Sequence, residues 1–308
     1  MSETKGKQQG AVQTTGHSWD GDLQEFNNPL PRWWLWGFYA TIVFAVVYWF
    51  IYPAWPVGKG FTTGFDTITY TGADGKKVTT HWNTRALLIQ DMQTGAEAKK
   101  RREYMDKVAN ASYDQILHSP EMMAFVRSVA KNLFGDNCAA CHGDGGGGVI
   151  GLFPNLTDDS WLWGGSIQAI HHTITYGHVG FMPAFKDTFN QTQLDDVANY
   201  VLSLSGHSVD SSKAARGKVI FNGQQGGCYY CHTHAGTGLK SQGSANLTDS
   251  IWTIADVPDQ PTIAGKIKAV ESVIRNGVHR VMPTWKDRLS PTQIKLLTVY
   301  VHELGGGK

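Results

Sequence analysis

Cys138-Ala139-Ala140-Cys141-His142 and Cys228-Tyr229-Tyr230-Cys231-His232 decide how the rest of the chain is read. Both are C-x-x-C-H, the attachment signature of a c-type haem: two thiols add across vinyl groups and the following histidine becomes an axial iron ligand. Two copies imply two covalently bound c-type haems, tethered through Cys138, Cys141, Cys228 and Cys231, with His142 and His232 on the irons. A zinc ribbon would place its C-x-x-C pairs about 15–20 residues apart, whereas these begin at 138 and 228. A thioredoxin-like pair needs one C-x-x-C in a βαβ setting and no histidine after it. A disulfide framework has nothing to cross-link, because all four cysteines lie inside the two motifs.

Working outward, the 308 residues carry a formal net charge of +1 and no long basic run, which gives no footing for nucleic-acid binding. Residues 1–32 are polar, with Lys5, Lys7, Asp20, Asp22 and Glu25 and no periodic apolar face, and read as an N-terminal tail. Trp33 to Tyr52 is uncharged, and no charge returns before Lys59. Twenty helical residues span roughly 30 Å, the thickness of a hydrocarbon core, so 33–56 reads as one transmembrane anchor. Trp33, Trp34 and Trp36 at one end and Trp49, Tyr52 and Trp55 at the other are placed like interfacial aromatic belts. A cleaved signal peptide fits less well, since the preceding segment and the apolar run are too long and no A-x-A-like site follows. Arg32 and Lys59 balance across the span, so flanking charge leaves the orientation open. Covalent haem attachment on the outer side of energy-conserving membranes orients it: tail cytoplasmic, haem motifs periplasmic, in a bacterial inner membrane.

Residues 57–118 read as a periplasmic linker containing a hairpin and a helix. Gly58, Gly60, Gly64 and Asp74-Gly75 mark turns around the β-branched run Thr67-Ile68-Thr69-Tyr70. Thr94 with Glu97 resembles a capping box opening a solvated helix of roughly 15–20 residues, and the Lys99-Lys100-Arg101-Arg102 run reads as its wet face. Ser119-Pro120 then opens a helix carrying Met122, Val126, Val129 and Leu133, which Gly135 is expected to stop just before Cys138.

The C-terminal part is duplicated. Asn155-Leu156-Thr157-Asp158 returns as Asn246-Leu247-Thr248-Asp249, and Met182-Pro183-Ala184-Phe185 as Met282-Pro283-Thr284-Trp285. Asn190 with Gln193 opens a closing helix with Leu194, Val197, Val201 and Leu204; Ser290-Pro291-Thr292-Gln293 opens its counterpart with Ile294, Leu297, Val301 and Leu304. Two modules result, 119–206 and 207–308.

An iron held by one histidine needs a sixth ligand. Met182 and Met282 are the candidates, each before a proline that biases the backbone toward an extended loop able to cross a haem face. A thioether favours Fe(II) more than a second imidazole does and raises the potential. The rivals are His171, His172 and His178 for the first haem and His279 for the second. Each Met is assigned by default to its own module, although a duplication permits exchange. Met92, Met105, Met122 and Met123 read as core filler, and His17, His81, His118, His207, His234 and His302 as ordinary residues. Trp161, Trp163, Trp252 and Trp285 are candidates to line haem edges or bond propionates, with plain packing the alternative.

Each module resembles class I cytochrome c. The whole chain resembles the dihaem subunit III of cbb3-type cytochrome c oxidase, on His17-Ser18-Trp19-Asp20-Gly21, on Glu25-Phe26-Asn27-Asn28-Pro29-Leu30-Pro31-Arg32-Trp33-Trp34, and on the two C-x-x-C-H/Met-Pro modules in that order. The resemblance implies a mainly α fold: one N-terminal transmembrane helix followed by two tandem class I cytochrome c domains. It implies an electron relay from a donor cytochrome c toward the catalytic and monohaem subunits of the oxidase, with membrane lipid around the anchor and O₂ reduction to water elsewhere in the complex. Two features depart from the family pattern: Ala245 stands where Pro154 supports the ligand histidine through its backbone, and the second module spends more residues between His232 and Met282. A free-standing membrane-anchored dihaem carrier and a dihaem peroxidase are the alternatives. The peroxidase needs an open iron position, and the paired Met-Pro loops weigh against it.

Overall fold

The computed structural model describes residues 13–305; Lys5 and Lys7 of the expected tail lie outside them. The chain divides after Lys100 into two compact units, Met1–Lys100 and Arg101–Lys308.

In the first unit, β1 (Thr14–Trp19) and β2 (Leu23–Phe26) pair antiparallel, where the sequence reading placed only a tail. The turn uses Asp20 and Gly21 at positive φ, and every strand residue is exposed, so no apolar alternation announces the ribbon. Helix α1 (Arg32–Ile51) follows, with no buried residue and no acidic or basic side chain in its first or last turn beyond Arg32 itself. It is the one helix among the described residues long and apolar enough to cross a membrane. β3 (Pro56–Val57) and β4 (Gly60–Phe61) form a short ribbon, and β5 (Thr67–Thr71) and β6 (Lys77–His81) the expected hairpin. Helix α2 (Thr84–Thr94) was not expected there. Asn83 caps it by accepting from the Ala86 N–H at 2.8 Å, and its Gln90 and Gln93 amides donate to the Thr69 and Thr71 carbonyls of β5. Thr94 therefore ends α2 rather than capping the next helix, its hydroxyl donating to the Gln90 carbonyl. Helix α3 (Ala96–Asn110) has the length expected.

The second unit continues with α4 (Tyr113–Leu117), α5 (Pro120–Asn137), α6 (Ala139–His142) and α7 (Ile167–Tyr176). Strand β7 (His178–Met182) and helices α8 (Gln191–Leu204), α9 (Ser211–Asn222) and α10 (Tyr229–His232) come next. Helix α11 (Ile263–Asn276), strand β8 (Val278–Met282) and helix α12 (Pro291–Glu303) complete it. Ser119 caps α5 and Pro120 occupies its first turn, where a missing N–H costs nothing. Gly135 does not stop α5, which runs to Asn137 and hands over to the motif through Cys138 N–H donating to Phe134 C=O at 2.7 Å. Full capping boxes at Asn190/Gln193 and Ser290/Gln293 satisfy the first orphan N–H groups of α8 and α12.

Packing does not follow chain order. Helix α8 lies on α9 and α11, and α12 lies on α5 and α7. One apolar cluster, from Phe189 to Ile274, joins α8 to α9 and α11. The other two join α5 and α7 to α12, through Val126, Ala130 and Leu296 and through Phe134, Ile174 and Leu297. The closing helices are thus crossed between the sequence modules 119–206 and 207–308. Each fully buried leucine, such as Leu194, Leu202, Leu296 and Leu297, contributes about 1.5–3 kcal/mol. Between the two groups, β7 and β8 pair antiparallel, His178 with Met282, Gly180 with Arg280 and Met182 with Val278.

Candidate functional site

Each C-x-x-C-H is a single helical turn, α6 or α10, which brings its two cysteines together at i and i+3. A loop then folds back: the Gly148 N–H donates to the His142 carbonyl at 2.8 Å and the Gly238 N–H to the His232 carbonyl at 3.0 Å. The returning loop carries the histidine's partner. His142 Nδ1 is 3.1 Å from the Pro154 carbonyl oxygen, and His232 Nδ1 is 2.9 Å from that of Ala245. A carbonyl only accepts, so Nδ1 carries the proton and Nε2 is the nitrogen left to bind a metal. Ala245 departs from the family pattern in side chain only; the backbone contact is kept.

Burial pushes both imidazoles below their ordinary pKa, against the opposing pull of the carbonyls, so both are neutral at neutral pH and able to ligate. Burial likewise pushes the Cys138 and Cys228 thiols up to about 11. Thiolate redox pairs require the opposite shift.

All eight motif and methionine positions, Cys138, Cys141, His142, Met182, Cys228, Cys231, His232 and Met282, line one cavity of about 750 Å³. The β7–β8 ribbon supplies the methionines. Residues at 178, 180 and 182 alternate with the more exposed Val179 and Phe181, a period-2 pattern that puts Met182 on the sheltered face. Met282 ends β8 in the same partly buried state. The two stand at opposite ends of the ribbon, about 13 Å apart for four strand residues.

Two of the rival histidines, His178 and His279, line the same cavity. His178 stacks on Trp163 with ring centroids 4.0 Å apart, and its Nε2 meets the Thr173 hydroxyl at 3.0 Å. His171 meets Tyr113 edge-on, His172 tilts against Tyr176, and His279 is exposed. Of the methionines read as filler, Met105, Met122 and Met123 pack in the α5 cluster, but Met92 is exposed.

Two partly buried indoles with buried N–H groups test the fit to haem. Trp161 Nε1 and Trp285 Nε1 have no hydrogen-bond partner, although a buried donor left unpaired costs about 1–3 kcal/mol. Both pack on the cluster that holds Cys138 and both line the cavity. Haem propionates are acceptors of the kind these donors lack, so the residues fit the group. Trp252 packs instead on the cluster with Cys228.

Sequence reasoning missed Gly177 and Gly277, which end α7 and α11 at φ +69°. A Cβ on Gly177 would collide with the Met282 carbonyl oxygen, and one on Gly277 would lie 2.5 Å from that of Met182. Their recurrence at one place in the repeat, each just before the strand that ends in Met-Pro, was the available signal.

Most of the chain matches known proteins. Residues 11–59 match the N-terminal domain of cytochrome oxidase-cbb3, FixP, and residues 128–201 and 212–301 match cytochrome c oxidase, cbb3-type, subunit III. The cbb3-type cytochrome c oxidase subunit FixP of Azorhizobium caulinodans is 44% identical over 308 residues, covering 97% of this chain and 95% of the relative. FixP of Bradyrhizobium diazoefficiens is 41% identical, covering 96% and 95%. Subunit CcoP of Cereibacter sphaeroides is 38% identical, covering 97% of each.

Proposed function

The chain belongs to the cbb3-type cytochrome c oxidase subunit III family, and from that premise we propose that it is a membrane-anchored dihaem relay, carrying electrons from a donor cytochrome c to the catalytic core of a terminal oxidase. Membership makes it an electron-transport subunit with a haem cofactor and partners in the oxidase complex. The finer reading is two covalent c-type haems, tethered by Cys138 and Cys141 with His142 and by Cys228 and Cys231 with His232, and completed by Met182 and Met282. What supports it is the meeting of all eight residues in one cavity.

When bound, a c-type haem supplies a one-electron iron couple. The remaining work belongs to the chain. The Pro154 and Ala245 carbonyls hold His142 and His232 in the tautomer that presents Nε2 and make each ring a better donor. The Met182 and Met282 thioethers would complete the ligand set of the irons, leaving no position for O₂ or peroxide and favouring the reduced state. Apolar walls such as Phe134, Leu156, Val201 and Phe221 exclude water and so keep the reorganisation that accompanies each change of charge small. Trp161 and Trp285 are placed to donate to propionates. The core domains read as two tandem class I cytochrome c domains, with α1 as a single span, the tail cytoplasmic and the haem-binding part periplasmic. The monohaem and catalytic subunits are the acceptors.

Purification from native membranes in mild detergent tests this reading. We expect b-type haem to co-purify, with cytochrome c-dependent oxygen uptake. Only c-type haem and no uptake, under conditions that keep other membrane complexes whole, would leave a free-standing carrier; carbon monoxide binding to the reduced subunit would point to a peroxidase.

A further inference from the structure

We propose that Arg280 holds the haem of the first motif at a higher potential than the haem of the second, by placing a positive charge in the shared cavity beside the first motif's loop. The proposal rests on the haem reading above and adds what distinguishes the two sites electrically.

Arg280 is the one Lys, Arg, Asp or Glu among the described residues that line the cavity. Strand alternation puts it on the face of β8 that carries Val278 and Met282. Its register partner on β7 is Gly180, which is also its equivalent in the repeat. The duplication therefore supplies this cation once. The guanidinium is held at two points: one amino group donates to the His279 carbonyl at 3.0 Å, and the other donates to the Gly151 carbonyl. Gly151 belongs to the turn between His142 and its partner Pro154. The Val149 N–H donates to the Phe153 carbonyl across that turn at 2.8 Å, and the Phe153 ring tilts against the His142 imidazole. The returning loop of the second motif is covered by a neutral group instead, since a Cβ on Gly243 would collide with the Trp163 indole.

Charges outside the cavity do not cancel this difference. Lys186 and Lys286, Asp187 and Asp287, and Asp158 and Asp249 recur at equivalent places and so act alike on both sites. Arg288 is not repeated, its equivalent being Thr188. Its guanidinium lies 5.4 Å from the centre of the Trp285 ring, on the cluster that holds Cys138, and so acts in the same direction as Arg280. Asp136 and Asp144 flank the first motif where the second has Gly226 and His234, and they act in the opposite direction. Both are exposed and neither lines the cavity, so water and salt screen them more strongly. Fe(II) carries one positive charge fewer than Fe(III), so a neighbouring cation favours reduction. A unit charge at about 10 Å, with an effective dielectric of about 20, changes such an equilibrium by roughly tenfold, which is about 59 mV for one electron.

Potentiometric titration of the full, haem-loaded chain tests this. The two α-bands are assigned with Cys141→Ala and Cys231→Ala, each of which removes one thioether and shifts the band of that haem alone. The first haem should have the higher midpoint under both labels. Arg280→Gln should lower that midpoint by about 59 mV, a tenfold change, and move the second haem less. Arg280→Lys keeps the charge but loses the planar fork, and should restore most of the gap; a role in packing alone predicts that Lys fails as Gln does. Equal shifts at both haems, or a Lys variant no better than Gln, would overturn the proposal. Should Arg280→Gln fail to fold, the order of the two midpoints in the labelled chains decides, and a second haem at or above the first overturns it. Haem absent from the unsubstituted chain would instead overturn the haem reading itself.

Discussion

A buried side-chain N–H with nothing to bond is an unusual thing for a folded chain to keep, and among the described residues there are two, on Trp161 and Trp285. The repeat makes the second informative, because the position equivalent to Trp285 is Phe185, which has no donor. On the two-haem reading, the first haem would gain a donor at this position that the second lacks. A donor bonded to an anionic propionate offsets negative charge near the iron and favours Fe(II). Trp285→Phe should accordingly lower the midpoint potential of the first haem by roughly 20–60 mV, part of the value of one hydrogen bond to a charged acceptor, and leave the second unchanged. Potentiometric titration followed at the two α-bands checks this; equal shifts in both would show that Trp285 acts through packing. At this scale the sequence was most legible where chemistry is local. C-x-x-C-H carries its two cysteines and its histidine on one turn, so their proximity needs no tertiary structure. Orphaned donors are invisible until the fold decides which indoles are buried, so Trp161 and Trp285 could not be separated from Trp163 and Trp252 beforehand.

Among the elements, α5, α8 and α12 begin at the caps that announced them, whereas Thr94 ends α2 instead of capping α3. Ser119, Asn190 and Ser290 each accept the N–H that their helix leaves unpaired. What escaped were elements whose apolar signal is faint or interrupted. Helix α2 buries only Ala86, and β1 and β2 bury nothing. Helix α7 does carry Ile167, Ile170 and Ile174 on one buried face, but its ten residues are hemmed in by glycines and two histidines. Its end matters more than its face. Gly177 combines a left-handed φ, which L side chains adopt at a cost, with direct backbone apposition to Met282. Gly177→Ala should destabilise the haem-loaded protein by roughly 2–4 kcal/mol, from strain and overpacking together. If the strand is displaced, the Met–Fe(III) band of the haem served by Met282 should weaken first. Thermal unfolding read alongside that band checks the outcome, and a melting midpoint unchanged from wild type would contradict it.

For the molecule as a whole, duplication was plain in the sequence and the crossing was not. Two similar helices can close either module, so apolar periodicity fits both pairings equally. The distinguishing marks are few: Asp195 and Asp196 against Lys295 and Leu296, and the short connection between α8, ending at Leu204, and α9, starting at Ser211. So brief a link favours antiparallel neighbours, and it makes α9 the natural partner of α8. The crossing has a consequence for autonomous folding. Every member of the Phe189–Ile274 cluster, with Met182, Phe185, Cys228 and Trp252 packed on it, lies in one unbroken stretch. The other two clusters need both the α5–α7 segment and α12 from the far end of the chain. Residues 178–277, which begin inside one sequence repeat and end inside the next, should therefore fold alone in the periplasm. They should carry one haem and show a Met–Fe(III) band, because Met182, α8, α9, the second motif and α11 are all present. The repeat unit 207–308 contains a complete motif, a Met-Pro loop and a closing helix, yet it lacks α8, so Phe221, Val257 and Val270 would lose the surface that buries them. It should be recovered unfolded, or as a dimer in which a second copy supplies the missing helix. Size-exclusion chromatography with haem-to-protein ratios on both fragments checks the pair. A monomeric, haem-loaded 207–308 beside an unfolded 178–277 would mean that chain order, not the crossed packing, defines the folding unit.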